Sequence, residues 1–466
     1  MEKNDILTVT IEDLTAEGEG VGKADGFPLF IKDTVPGDVV RCSVMKIKKG
    51  YGYARLLEIL APSPDRTEPR CPIARSCGGC QLEHLSYEAQ LRFKTKRVED
   101  TLRRIGGFTV RTAPEDAGEG GILLYPALGM KEPWHYRNKA QVPVGKDREG
   151  RIVTGFYARH SHEIIPQESC AISFPEAELV LHTVKEWMLR FGVSAYDETS
   201  GTGVLRHVLA RKGMRTGEIL VCLVSRKRKV RHENELAEML RDAVPGFATL
   251  TVNINEARDN VILGHEGYVV YGAGFIEDEI GGLRFRISPE SFFQVNSEQM
   301  EVLYGKALEF AGLTGEETVW DLYSGIGTIS LFLARKAKHV YGVEIVPQAV
   351  RDARENARLN GLQNVTFYEG AAEELLPRWL SEHPEEHIDV IVVDPPRKGL
   401  ELACLETICR IAPSRVVYVS CDPATLARDL ALFRERGYHA EAAQPVDQFC
   451  QTVHVETIVL LQKLNS

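Results

Sequence analysis

No run in this 466-residue chain approaches 18 consecutive apolar residues, so a membrane-spanning helix is not expected. The opening Met1-Glu-Lys-Asn-Asp-Ile6 lacks an apolar signal segment, and the chain is expected to be cytoplasmic. An excess of positive charge is also missing. The formal net charge is −10, which as one number argues against a polyanionic partner. The basic residues are nonetheless grouped: Lys46, Lys48, Lys49 and Arg55; Arg92, Lys94, Lys96 and Arg97; Arg226-Lys-Arg-Lys229 with Arg231. Much of the acid lies apart from them, at residues 115–119 and 373–386. A phosphate-binding face on an acidic protein is therefore open, although solvated helices and loops explain any single group as well. Ten cysteines in such a chain are expected as thiols, metal ligands or nucleophiles rather than structural disulfides. The length allows two or three domains, each able to bury its own core.

A third glycine is missing from the stretch that organises the chain. Val319-Trp-Asp-Leu-Tyr-Ser-Gly-Ile-Gly-Thr328 reads as a short apolar strand carrying Asp321, a tight turn at Gly325 and Gly327, and the start of a helix at 329–336. Strand, glycine turn and helix make the first unit of a nucleotide-binding α/β sheet. Without the third glycine the turn lacks a diphosphate cradle, which disfavours a dinucleotide. Strand and helix then alternate. A second strand, 340–344, ends in Glu344, placed where an acid accepts hydrogen bonds from ribose hydroxyls. Residues 349–360 read as a helix, and 365–368, 388–393 and 416–420 as further strands, the fourth ending in Asp394-Pro-Pro-Arg397. The sheet should be mostly parallel, with Tyr323, Glu344, Asp394 and Cys421 at the carboxyl ends of its strands.

Cys421, in Ser420-Cys-Asp-Pro423, follows a buried strand and leads into a helix at 424–434. A thiol there can have a lowered pKa and act as a nucleophile; a buried structural cysteine is the plainer alternative. Glu456, in His454-Val-Glu456, enters an apolar strand at 457–461. A carboxylate so placed is costly unless paired or catalytic, which makes it a candidate general base against the alternative of a solvated strand end.

Ahead of this third of the chain lie two other regions. Residues 6–11, 26–31, 39–46 and 52–59 read as short strands divided by turn signals, the pattern of a small OB-like β-barrel. Lys46, Lys48, Lys49, Tyr51 and Tyr53 fall on or beside one hairpin and suit single-stranded nucleic acid, unless the barrel is only a spacer. After a linker at 61–65, Cys71-Pro-Ile-Ala-Arg-Ser-Cys77-Gly-Gly-Cys80 sets three thiols within ten residues. Cys170 is the best candidate for a fourth ligand. The spacing suits a 4Fe–4S cluster held by thiolates, with a four-cysteine zinc site and free thiols as rivals. The three-residue first gap of a radical-type cluster motif is absent. An amphipathic helix at 86–105 turns Leu91, Val98 and Leu102 inward and its basic residues outward. Strand-like segments then recur from 121 to 282, interrupted by a helix at 174–191, and imply an antiparallel sheet with one or two packed helices. Tyr136-Arg-Asn-Lys139 and Gly155-Phe-Tyr157 combine aromatic and basic groups, as stacking on unpaired bases would need, though packing explains them nearly as well.

Taken together these motifs resemble a known family. Gly18-Glu-Gly20-Val-Gly22 with Pro36-Gly-Asp38 resembles a TRAM domain. Ser291-Phe-Phe-Gln294-Val-Asn296, Asp321-Leu-Tyr-Ser-Gly-Ile-Gly327, Asp394-Pro-Pro-Arg397, Ser420-Cys421-Asp-Pro and His454-Val-Glu456 resemble the RNA uracil-C5 methyltransferases that use S-adenosylmethionine, of the three-domain type acting on 23S ribosomal RNA. The resemblance implies a multidomain α/β protein. A TRAM barrel would occupy 1–60, a central α+β domain with an iron–sulfur loop 61–282, and a Rossmann-like class I methyltransferase domain 283–466. It implies that Gln294, Tyr323, Glu344 and Asp394 contact S-adenosylmethionine, that Cys421 is the nucleophile and Glu456 the base. Cys71, Cys77, Cys80 and Cys170 would hold the cluster in a monomer whose partner is 23S RNA. Tyr323-Ser324 departs from the Phe-Cys that relatives often carry, a mild change. Rival methyltransferases fit less well. Arg397 stands where amine-methylating enzymes carry an aromatic residue, and the Pro-Cys and Thr-Cys pair of cytosine-C5 enzymes is absent. A non-enzymatic iron–sulfur RNA sensor would leave Cys421 and Glu456 unexplained.

Overall fold

A computed structural model describes residues 1–113, 121–159, 161–167 and 169–464; the acidic stretch at 115–119 lies outside the described residues. The first five strands, Ile6–Leu14, Gly20–Ala24, Phe27–Ile31, Val39–Ile47 and Gly52–Ala61, close into a barrel. Its core is the inward row Val9, Ile11, Leu29, Ile31, Val40 and Cys42, as the period-2 alternation of the sequence requires. The strand Gly20–Ala24 is not among those the sequence suggests, because the turn signal Glu17-Gly-Glu-Gly20 overlaps its start. Its glycines are needed because a Cβ at Gly20 would sit 1.9 Å from the Thr34 hydroxyl.

The helix Tyr87–Arg104 is capped by Ser86, whose side chain accepts from the Ala89 amide, and it buries Val98 and Leu102. Its basic residues do not form an open phosphate face. Lys94 is fully buried against Asp447, Lys96 pairs with Asp13 at 3.0 Å and Asp100 at 2.6 Å, and Arg97 donates to the Val453 carbonyl. A lysine ammonium removed from water needs such a partner. This pair fixes the helix to the segment that leads into His454-Val-Glu456.

The central sheet has seven strands, in the order 164–166, 152–157, 139–146, 205–212, 219–225, 247–254 and 266–271. All pairs are antiparallel but one. Strands Ile219–Ser225 and Phe247–Ile254 run parallel, joined by a crossover helix, Glu233–Ala243, that the sequence reading did not mark. That helix and Glu176–Phe191 cover one face around Trp187, Leu236 and Leu240.

The last sheet has nine strands. Val365–Glu369, His339–Glu344, Thr318–Leu322, Val390–Val393 and Arg415–Ser420 are parallel neighbours in that order, and Glu456–Lys463 then runs antiparallel between Arg415–Ser420 and Tyr438–Val446. Two short strands from much earlier in the chain, Ile122–Leu124 and Val110–Arg111, complete its far edge. The sequence placed residues 110–111 and 122–124 with the central region, whereas the pairing of these two strands belongs to this sheet. Helices bury both its faces, which explains why its strands are continuous apolar runs.

Candidate active site

The carboxyl ends of the parallel strands carry Tyr323, Glu344, Asp394 and Cys421. The strand Thr318–Leu322 breaks at Tyr323, whose φ of +70° is unusual for a large side chain, and the chain turns through Gly325 and Gly327. Gly327 has a φ of +83°, and a Cβ there would lie 2.8 Å from the Phe367 ring, so only glycine fits. Helix Thr328–Ala334 starts directly afterwards, so that its N-terminus lies at the turn. Glu344, ending the neighbouring strand, accepts from the Gly325 amide at 3.0 Å and the Val346 amide at 2.8 Å. The carboxylate is thereby held beside the glycine turn. Asp321 is fully buried with its Oδ2 accepting from Ser330 at 2.5 Å; burial, opposed by that bond and aided by Asp394, pushes it up to about 7. Gln294 is buried at the entry to helix Ser297–Ala311, and its carbonyl accepts from Asn138 at 2.8 Å, which ties the central region to this edge.

Cys421 and Glu456 stand at the facing ends of two paired strands, since Ser420 lies opposite Thr457 in the register. Glu456 is 2 % exposed, and burial followed by the nearby Asp394 raises its carboxyl to about 8, against the pull of Arg397. Asp394 is raised to about 7 by desolvation. The Cys421 thiol behaves opposite to the expectation of a lowered pKa. Burial, Glu456 and Asp394 together push it up to about 11, and only Arg397 draws it down appreciably. A strand end beside two carboxylates stabilises the thiol, whatever the following helix offers. Tyr304, which sequence reasoning did not single out, reaches the same place from helix Ser297–Ala311. Its hydroxyl is 3.3 Å from Thr328 Oγ1, and it feels the charges of Asp394, Glu456 and Asp321. A tyrosine on an apolar helix face gives no signal of this in sequence. His454 is held neutral, with its pKa lowered to about 4 by burial and by Arg397, Arg97 and Lys94.

The segment before Glu456 is bound on several sides. Asp447 accepts from Tyr87 at 2.8 Å, Gln90 donates to Gln451 at 2.8 Å, and the Gln81 and Leu82 amides donate to the Gln451 carbonyl. Asn296 and Gln448 exchange side chain-to-carbonyl bonds of 3.2 and 3.1 Å. Gln81 immediately follows Cys80, so the cysteine loop is hydrogen-bonded to the segment that leads into Glu456. Cys71, Cys77, Cys80 and Cys170 line one cavity of about 340 Å³ together with Glu83. All ten cysteines are free thiols, and burial pushes each of these four upward. Four soft donors facing one cavity fit a metal–sulfur group in type and number. Among the described residues, however, no three Cys, His, Asp or Glu side chains converge as ligands of a single ion.

A family model described as tRNA (Uracil-5-)-methyltransferase matches residues 133–464, and a TRAM-domain model matches residues 2–57. The chain belongs to the tRNA (uracil-5-)-methyltransferase family. Its relatives include an uncharacterized RNA methyltransferase of Halalkalibacterium halodurans, 51% identical over 465 residues and covering 100% of this chain and 98% of that one. Another, from Clostridium tetani, is 45% identical over 461 residues, covering 99% and 97%. Among solved structures, the tRNA (uracil-54, C5)-methyltransferase of Pyrococcus abyssi in complex with S-adenosyl-L-homocysteine is similar, with a TM-score of 0.77 and 26% identity over 97% of this chain and 99% of that chain. The family is one of S-adenosylmethionine-dependent RNA uracil-5 methyltransferases, and the N-terminal barrel is its TRAM domain. Among the described residues no helix is long and apolar enough to cross a membrane.

Proposed function

We propose that this protein methylates carbon 5 of a specific uridine in 23S ribosomal RNA through a covalent bond between Cys421 and carbon 6 of the uracil. The observation that carries the reading is the convergence of one thiol, Cys421, with one buried carboxyl, Glu456, at facing strand ends, where the charges of Glu456 and Asp394 both bear on the thiol. Carbon 5 of uracil is too weak a nucleophile to accept a methyl group unaided. Addition of the Cys421 sulfur at carbon 6 makes carbon 5 electron-rich. Because the thiol is held near 11, its proton must leave as the bond forms, and Asp394 is the neighbouring carboxylate that takes it, which leaves ionised Glu456 for the later step. S-adenosylmethionine, when bound, supplies the methyl group; Gln294, Tyr323, Glu344 and Asp394 would hold it at the glycine turn. Glu456 then takes the carbon-5 proton so that the sulfur can leave. Once ionised, a carboxylate whose pKa is raised to about 8 is a stronger base than an ordinary glutamate. Uracil in a duplex cannot present its face to a thiol, so the target must be unpaired or flipped out.

Cys71, Cys77, Cys80 and Cys170 would hold a 4Fe–4S cluster through thiolate sulfur. Its role is to shape the loop that ends at Gln81 and to position RNA, since methyl transfer moves no net electron. The Pyrococcus protein, whose name specifies transfer RNA, aligns over 97% of this chain. A TRAM domain is therefore no bar to a transfer-RNA substrate, and uridine in transfer RNA is the second reading. Cys421→Ala should abolish turnover, and Glu456→Gln should accumulate an RNA–protein adduct on a denaturing gel. Turnover retained in Cys421→Ala would refute the covalent route.

A further inference from the structure

We propose that a cavity at one end of the central sheet, lined by Tyr157, His162, Tyr196 and Glu198 with the buried Arg206 and His207, receives an unpaired nucleobase of the substrate RNA other than the target uracil. The inference rests on the RNA-methylating reading. The cavity measures about 600 Å³, within the usual range of ligand pockets.

Consecutive residues of a strand point to opposite faces, yet Arg206 and His207 both line this cavity. The cause is a register shift between Leu205 and His207 against the neighbouring strand, a bulge that re-aims side chains. Each is 6 % exposed. Arg206 donates through Nη1 to the carbonyls of Asn255 at 3.0 Å and Ala257 at 2.6 Å, and its guanidinium lies 4.9 Å above the Tyr196 ring. So anchored, its Nε has no partner among the described residues, and neither has His207 Nδ1. Buried polar atoms without partners are uncommon, and two from adjacent residues of one cavity point to a ligand that completes them.

The wall supplies the rest of a base-recognition site. The Tyr157 and His162 rings are 5.5 Å apart, and both are held by Glu198, at 3.4 Å to the tyrosine hydroxyl and 3.0 Å to the imidazole. Aromatic faces stack on any base, and Asp197 and Glu198 can accept from exocyclic amines. Carboxylates on the lining are at least as numerous as cations, which disfavours a phosphate and suits a neutral ring. Tyr157 and His162 also line the adjoining cleft, of about 1190 Å³, whose other walls include Phe30 and Tyr53 of the barrel and Arg97 and His454 beside the catalytic strand. A strand of RNA delivering its target to Cys421 along that cleft passes this shared wall, and a nucleotide unstacked by that path can turn into the cavity.

The test uses a single-stranded RNA of about 12 nucleotides carrying 5-iodouridine, photo-crosslinked to the full-length protein and mapped by mass spectrometry. Cross-links at Tyr157, His162 or Tyr196 are expected. Tyr157→Ala and Glu198→Ala should weaken binding of the same RNA by about tenfold or more, with thermal unfolding and S-adenosylmethionine binding unchanged. Cross-links confined to the barrel and the catalytic strands, unchanged affinity in both variants, or failure of the RNA to bind would overturn the proposal. Displacement of the cross-link by mixed nucleoside monophosphates would also overturn it, by naming a free nucleotide as occupant. The readout is binding, so a protein that cross-links here but makes no 5-methyluridine separates this inference from the functional reading.

Discussion

Glu456→Gln should make the protein more stable at alkaline pH and leave it little changed at acid pH. In the fold the carboxyl titrates at about 8, against 4.5 for an ordinary glutamate. An acid whose pKa is raised by folding contributes stability that is fully present below the unfolded value and is lost as pH rises through the folded one. The loss relative to the neutral amide works out to about 1 kcal/mol at pH 5, about 3 at pH 7 and about 5 at pH 9. Asp394 faces Glu456 and is raised to about 7, so it titrates in the same window, and relief of its repulsion belongs to the same gain. Urea unfolding of both proteins, without cofactor, at these three pH values gives the comparison. Any pH-independent cost of the amide cancels in the change from pH 5 to pH 9, which should favour the variant by about 4 kcal/mol. Parallel pH curves would refute the burial and charge argument for this residue.

Other outcomes follow from the same physics. Lys94→Met strands the Asp447 carboxylate, whose lysine partner is equally excluded from solvent, and should cost about 3–5 kcal/mol; adding Asp447→Asn should recover much of it, read by urea unfolding. Gly327→Ala would force a Cβ to 2.8 Å from the Phe367 ring at a φ of +83°. It should weaken S-adenosylmethionine binding in calorimetry more than it alters the barrel's melting. Cys170→Ser should remove the broad visible absorbance expected of anaerobically purified protein. Colourless wild-type protein containing zinc would contradict the cluster reading.

What the sequence made legible and what it hid divide along physical lines. The glycine turn at 325–327 and the alternating strands around it depend on local chemistry, and the sheet's parallel core follows from them. The barrel was also readable, apart from Gly20–Ala24, where glycines that serve close packing look like a turn. Nonlocal facts were hidden. Nothing in residues 122–124 indicates that they pair with a strand more than 300 positions later. Lys94 looks like a surface residue until Asp447 is placed against it. Cys421 and Glu456 could each be suspected from strand ends, but the upward shift of the thiol arises from burial and from two carboxylates, which only the fold supplies. Tyr304 joins them from an apolar helix face. Arg206 and His207 point into one cavity because of a bulge that no periodicity announces.

The central claim is tested most directly by incubating the protein with 23S RNA from cells lacking this methylation and with isotopically labelled S-adenosylmethionine, then identifying the labelled nucleoside by mass. The account predicts label in 5-methyluridine, at one defined position, and none with Cys421→Ala. Label in a methylated adenosine, guanosine or cytidine, or no label in 5-methyluridine from either 23S or transfer RNA, would contradict it.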